Sequence, residues 1–392
     1  MLPLEGIIVV SLEQAIAAPF ASRQLADLGA RVIKLERPGD GDFARNYDQT
    51  VKGLSSHFVW VNRSKESLTL DLKNPQGKEI LHKLLEKADV FLHNLAPGAV
   101  DRLGFGAQQL TEEFPRLIVC SISGYGGSGP YRDKKAYDLL IQCEAGVLSV
   151  TGTPETPSKV GISIADICAG MYAYSGILTA LINRNKTGKG AILEISMLEA
   201  LAEWMGFPMY YTAYGESELT RTGASHASIY PYGPFPSRDG KKVFLGIQNE
   251  REWSRFCEIV LLLPEVSSDP RFANNFNRYQ NKTILQPIIE AVLCLLTADE
   301  VIERLEAAQI ANARMNDMQE FFEHPQLQAR GRWREVQTPA GSIQALIPPV
   351  TMEGFEPAMN PIPDVGEHTE RILAELGYDA VAIKQLKADV CI

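Results

Sequence analysis

Paired cysteines, clustered histidines, long apolar runs and a surplus of basic residues are what this 392-residue chain does without. Its six cysteines (Cys120, Cys143, Cys168, Cys257, Cys294, Cys391) are scattered, with no CxxC pair. They sit mostly in apolar runs, as reduced thiols of a cytosolic protein do, so no disulfide framework is expected. The six histidines are isolated and form no HxxxH pattern, which argues against a metal site. Neither a GxSxG elbow nor a Walker-type phosphate loop occurs, setting aside serine-hydrolase and P-loop chemistry. No unbroken apolar run reaches the ~18 residues of a membrane span, because Asp166 and tyrosines interrupt the longest candidate. Lys and Arg number 38 against 48 Asp and Glu, a net charge of −10. That balance disfavours a nucleic-acid partner but leaves room for a local basic pocket. The opening MLPLEGIIVVSLE has no basic leader region and runs straight into a strand pattern, unlike a signal peptide. The expectation is a cytoplasmic protein with neither nucleic acid nor membrane as partner.

What is present is enough chain for two cores. Gly6 to Leu12 is a short continuous apolar run, as in a strand buried on both faces, and Ala17 to Leu28 is helix-like with Gly29 beyond its end. Arg31 to Leu35 is a second strand, so the chain opens β-α-β. Residues 67 to 72 alternate, which suggests a more exposed strand, and Asn74-Pro75 opens an amphipathic helix. Residues 89 to 93 and 116 to 123 are further buried strands, giving a doubly wound α/β unit whose ligands bind at the carboxyl ends of its strands. GYGGSG at 124 to 129 looks like a dinucleotide fingerprint, but the PYRDKK that follows cannot begin a helix cleanly, so it reads as a mobile loop. Two helices are expected over 137–150 and after Asp166, then a strand at 191–197. From about Thr220 the composition shifts to Gly, Pro, Ser and Tyr, with a strand at 242–247 and charged helices near 251–262, 278–296 and 298–309. The expected layout is an α/β Rossmann-like large domain from 1–200 and 330–392, a linker at 201–224 and a smaller α+β domain at 225–329. The tail from 330, with one clear helix at 369–376, is too thin to fold alone and is expected to pack back on the larger body.

Asp166 stands at the mouth of a mostly apolar helix in which small residues (Ala169, Gly170, Ala173, Gly176) permit close packing. The unpaired N–H groups of a helix start favour a carboxylate there. A plain N-cap is the bland alternative, since Asp is common at that position. Basic residues fall near the strand ends: Arg37, Arg63, Lys65, Lys73, Arg102 and Lys135. Each alone reads as a solvated charge, but several at one sheet edge can form a pocket for a phosphorylated, nucleotide-like ligand.

An ordered set of stretches then carries a resemblance over essentially the whole chain: APFASRQLADLGARVIKLERPGDGD, NRSKESLTLDLKNPQGKE, HNLAPGAVDRLGF, PRLIVCSISGYGGSGPYRDKKAYDLLIQCEAGVLSVTG, ADICAGMYAYSGILTAL and YPYGPFPSRDG. It resembles the family III coenzyme A transferases of the formyl-CoA:oxalate and carnitine type. The resemblance implies that Asp166 is the nucleophile, with Tyr137 and Asp138 as a Tyr-acidic pair beside it. It implies that Ala15, Ile16, Ala17, Arg37, Leu70, Lys73, Asn94, Leu95, Arg102 and Lys135 hold CoA. It also implies a homodimer of interlocked subunits, CoA thioesters as substrates with no tightly bound cofactor, and no metal. Where formyl-CoA transferases have a glutamine near the thioester this chain has Ile16, and GASHASIYPYG replaces their glycine-run loop, so formyl or oxalate specificity is not implied.

Members with a similar segment act on C4 to C5 dicarboxylates, which points to transfer from succinyl-CoA to an acid such as itaconate, with mesaconate, citramalate or malate as further possibilities. His226 and Tyr230 are the residues expected to meet the acceptor's remote carboxylate, a water-facing loop histidine being the alternative. Three rival readings accompany this one: an intramolecular mesaconyl-CoA C1–C4 transferase using the same nucleophile, a 2-methylacyl-CoA racemase, and a CoA-binding protein without catalysis. In the racemases a histidine takes the place of Tyr137, which counts against that reading.

Overall fold

The computed structural model describes residues 2–215 and 219–392. Six strands, β1 (Ile8–Leu12), β2 (Arg31–Glu36), β3 (Lys65–Thr69), β4 (Val90–His93), β5 (Ile118–Ser123) and β6 (Ala191–Ser196), form one sheet in the order β3-β2-β1-β4-β5-β6. Every pairing in it is parallel. The order reverses between β1 and β4, and the crevice above such a reversal is where open α/β sheets bind ligands. Runs such as IVVSL and VFLH form these strands because helices cover both faces, so no polar alternation is required. After the first helix (Ala17–Asp27), Gly29 turns the chain into β2 at a φ of +97°. A Cβ there would lie 2.3 Å from the Leu2 side chain, so both conformation and space call for glycine.

The strand at 67–72 differs from its alternating pattern. β3 starts two residues earlier, at Lys65, and is largely buried although it lies at the sheet edge. The C-terminal segment covers it. Thr69 N donates to Thr369 Oγ1 at 3.1 Å and Ser67 N to His368 Nδ1 at 3.2 Å. Ile372 and Leu373 of the helix Thr369–Glu375 are buried in the same core as Leu68 and Ile80. A second helix, Ala380–Ala388, and a hairpin of Trp333–Val336 with Ile343–Leu346 complete this segment; the sequence pattern suggested neither.

The helix expected over 137–150 is broken. It runs Asp138–Glu144, stops, and resumes at Val147–Val150, because Gly146 takes a left-handed φ of +79°. The helix carrying Asp166, Ile164–Thr187, is long and apolar enough by length and composition to cross a membrane, although Asp166 and its tyrosines interrupt the apolar run. Ala165, Cys168, Ala169, Gly170, Ala173 and Ile177 of this helix are buried.

The chain divides into two compact units. The first comprises Met1–Ala145, Val160–Gly206 and Gln326–Ile392, and holds the six-stranded sheet and the C-terminal helices. The second comprises Gly146–Lys159 and Phe207–Pro325. It contains an antiparallel sheet of β7 (Tyr232–Pro236), β8 (Lys242–Gly246) and β9 (Ala311–Arg314). Its core gathers Trp253, Phe256, Phe272, Leu285 and Val301. The segment expected as a linker, 201–224, is largely helical, ending Met197–Trp204 and spanning Gly206–Tyr214; its residues 216–218 lie outside the described residues.

Candidate active site

The turn after β1 occupies the crevice. Gln14 N donates to Asn94 Oδ1 at 3.0 Å and Asn94 Nδ2 returns to Gln14 O at 2.8 Å, which ties the ends of β1 and β4 together. Ala15 is held at a φ of +60°, a conformation non-glycine residues rarely adopt. Its N–H donates to Asp42 Oδ1 at 3.1 Å. Asp42 is itself fixed by Lys34 Nζ at 2.7 Å, and Lys34 and Lys65 both reach Glu13 Oε1, at 3.5 and 2.6 Å. These four groups are buried. Burial alone would raise the Glu13 carboxyl, but Lys65 and Lys34 outweigh it and hold it at about 2. A paired ionic network thus carries the strained turn.

A cleft of about 490 Å³ opens beside this turn, at the carboxyl ends of β1, β2 and β3. Gln14, Arg37, Leu70, Lys73, Leu95 and Leu103 are among the residues that line it. Arg37 and Lys73 are exposed, and among the described residues neither side chain has an ion-pair partner. Of the residues expected to hold CoA, the structure therefore brings Arg37, Leu70, Lys73 and Leu95 to one cleft, with Asn94 bracing its floor. Ile16 and Ala17 are only 3% and 1% exposed and sit within the start of the first helix, not on the cleft wall. Arg102 and Lys135 are exposed and lie outside the cleft lining.

Asp166 is the third residue of its helix, after the N-cap Ser163, and makes no capping hydrogen bond among the described residues. The cap reading therefore does not describe it. Nor does the helix start stabilise its charge on balance. Burial first, and then the neighbouring Asp138 carboxylate, push Asp166 up to about 7. Asp138 is already satisfied: its Oδ1 accepts from Ala165 N at 2.8 Å and its Oδ2 from Gln142 Nε2 at 2.7 Å. Gln142, fully buried, is oriented in turn by Val160 N at 2.9 Å. Two carboxylates of opposite character result, one hydrogen-bonded and one bare. Tyr137 is 69% exposed and Tyr47 49%. Burial raises the Tyr47 hydroxyl, and the charges of Asp42 and Asp166 add to that shift, so Tyr47 belongs to this neighbourhood. Sequence reasoning missed Tyr47, which lies in a turn with no pattern of its own. The helix carrying Asp166 packs closely on the first helix: a Cβ at Gly170, one turn beyond Asp166, would lie 2.7 Å from Ala17 O.

In the second unit, His226 Nδ1 accepts from Ser228 N and Ile229 N, both at 3.1 Å, and its ring stacks on Tyr232 with centroids 5.1 Å apart. Its Nδ1 thus shapes its own loop. Tyr230, expected to meet the substrate, is 9% exposed in that unit's core, and its hydroxyl is buried with no hydrogen-bond partner among the described residues.

A Rossmann-like sheet with a cleft at its reversal point that Arg37 and Lys73 help to line, and a bare carboxylate at the start of a neighbouring helix, agrees with the family match. The chain belongs to CoA-transferase family III, whose model covers residues 4–369, and it is a CoA-transferase. It is 34% identical over 390 residues to the human succinyl-CoA:glutarate CoA-transferase, across 98% of this chain and 88% of that one. It is 30% identical to the succinyl-CoA–D-citramalate CoA-transferase of Chloroflexus aurantiacus, across 95% of this chain and 94% of that one. The crystal structure of a CAIB/BAIF family protein from Brucella suis matches with a TM-score of 0.85 at 31% identity, covering 96% of this chain and 99% of that one.

Proposed function

We propose that this enzyme moves CoA from succinyl-CoA to a five-carbon dicarboxylic acid, itaconate being the acceptor the sequence favours, with Asp166 as covalent relay. The bare, partly buried Asp166 carboxylate beside a fully hydrogen-bonded Asp138 carries this reading. A carboxylate with a raised proton affinity is a better nucleophile than an ordinary one once ionised, and a fair leaving group in the reverse sense. One Asp166 oxygen attacks the thioester carbonyl, the C–S bond breaks and CoA thiolate leaves a succinyl-aspartyl anhydride. The thiolate then attacks the Asp166 carbonyl, releasing succinate and forming an aspartyl-CoA thioester. The acceptor carboxylate displaces the thiolate to give a second anhydride. Attack of the thiolate on the acceptor's acyl carbon yields the new acyl-CoA and restores Asp166. CoA lies in the cleft of Arg37, Leu70 and Lys73, with its thiol end toward the Ala15 turn. The enzyme is a homodimer of interlocked subunits in this account.

Relatives named for succinyl-CoA with glutarate and with D-citramalate support a diacid acceptor, and add glutarate as a competitor to itaconate. The test is a panel: succinyl-CoA against itaconate, glutarate, mesaconate, citramalate, malate, oxalate and carnitine, with the CoA products read by mass spectrometry. The reading expects a C5 diacid to give the highest kcat/KM. Preference for oxalate or carnitine would overturn it, as would rearrangement of mesaconyl-CoA with no acid added as the faster reaction.

A further inference from the structure

We infer that Arg132 is a phosphate-binding residue of the CoA cleft, acting with Arg102 across Gly98; the inference rests on the cleft being the CoA site. Gly98 opens the short helix Ala99–Leu103 at a φ of +71°. A Cβ built on it would lie 3.1 Å from Arg102 Nη1 and 4.0 Å from Arg132 Nη2. Two guanidinium groups, one from this helix and one from the loop after β5, thus converge on one bare backbone carbon.

Both arginines are exposed, and among the described residues neither side chain has an ion pair or hydrogen bond. Their acidic sequence neighbours do not neutralise them. The Asp101 carboxylate is turned toward Gly106, its Oδ1 2.8 Å from where a Cβ would stand there, and Asp133 pairs with neither arginine. Elsewhere in the same unit Arg23, Arg31, Arg45, Arg63 and Arg184 each meet a carboxylate. In a chain of net charge −10, two permanently charged groups brought together without an acid mark a place for an anion. A guanidinium fork matches the paired oxygens of a phosphate, and the missing side chain at Gly98 leaves room between the forks. The turn borders the cleft, because Leu95 before it and Leu103 after it are both lining residues.

The test titrates CoA and dephospho-CoA into the wild-type enzyme and into Arg132→Gln, Arg132→Lys and Arg132→Glu by calorimetry. Steady-state kinetics are then taken with succinyl-CoA and with a succinyl-pantetheine thioester that carries no nucleotide. Loss of one charge-assisted phosphate contact weakens CoA binding about tenfold in Arg132→Gln, more in Arg132→Glu and less in Arg132→Lys. The KM for succinyl-CoA rises accordingly with kcat nearly unchanged, and kcat/KM for the pantetheine thioester stays at the wild-type value. An equal loss with dephospho-CoA assigns Arg132 to the diphosphate; a loss confined to CoA assigns it to the ribose phosphate. Undiminished CoA binding in Arg132→Gln overturns the inference, and so does an equal loss with the pantetheine thioester, which would mean a general distortion of the site. A wild-type enzyme that binds CoA but transfers it to none of the acids in the panel refutes the proposed reaction and leaves the titration of Arg132 decisive on its own.

Discussion

At the scale of single residues the account turns on a carboxyl group that is held protonated up to about pH 7. Only its ionised form can attack a thioester, so kcat/KM falls about tenfold per pH unit below that value and is flat above it. Asp138 supplies part of the shift by like charge. Asp138→Asn keeps an oxygen for the Ala165 amide but loses the charge, and moves the acid limb of the pH profile to lower pH. A limb that stays in place would mean that Asp166 is not the group titrating. The same shift has a stability consequence. Unfolded, Asp166 ionises near 3.8; folded, near 7. Between those values the folded state binds more protons, so rising pH removes stability, and the cost is fully present above about 7. Asp166→Asn therefore stabilises the fold at pH 8 by something on the order of 2–4 kcal/mol and leaves it unchanged below about pH 4. Thermal melts at the two pH values check this, while transfer activity in the same variant drops by orders of magnitude.

At the scale of elements, the Asp166 helix is placed by close approach, and two of its glycines differ sharply. A Cβ at Gly170 would meet Ala17 O at 2.7 Å and Phe20 at 3.0 Å, whereas at Gly176 the nearest atom is Leu193 Cδ1 at 3.7 Å. Gly170→Ala should destabilise by about 1–3 kcal/mol through overpacking and lower kcat by shifting the helix that carries Asp166. Gly176→Ala should stabilise by about 0.5–1 kcal/mol, as alanine does within a helix. Urea midpoints for the pair read the two signs directly. The sequence displayed much of this level. β1, β2, β4 and β5 are buried apolar runs, and Asn74-Pro75 and Thr369 open the helices expected of them. It hid the break at Gly146 and the burial of β3, because the first depends on one left-handed residue and the second on a segment about 300 residues further along. The site was legible as a set of positions but not as an environment. Asp166 was evident at a helix start, yet its raised proton affinity comes from burial and from Asp138. Arg132 was hidden in PYRDKK as one surface charge among several.

At the scale of the whole molecule, long-range ties connect the Ala15 turn to the rest of the first unit. Glu13, Lys34, Lys65 and Asp42 bring together β1, β2, β3 and the loop after β2. Glu13→Gln takes from the buried Lys65 the only carboxylate bonded to it, when burial already pushes that ammonium down to about 7, and should cost about 3–5 kcal/mol, visible as a lowered urea midpoint. The C-terminal segment closes the same core: Leu373 is fully buried, and Asp71 N donates to Cys391 O at 2.8 Å. Leu373→Ala should cost about 2–5 kcal/mol by the cavity it leaves. The covalent relay at Asp166 is tested most directly by mixing the enzyme with succinyl-CoA, reducing with borohydride and mapping the modified peptide by mass spectrometry. The account predicts that the Asp166 carboxyl alone is converted to its alcohol, and that Asp166→Asn is left unmodified. Modification at another residue, or none during active turnover, would contradict it.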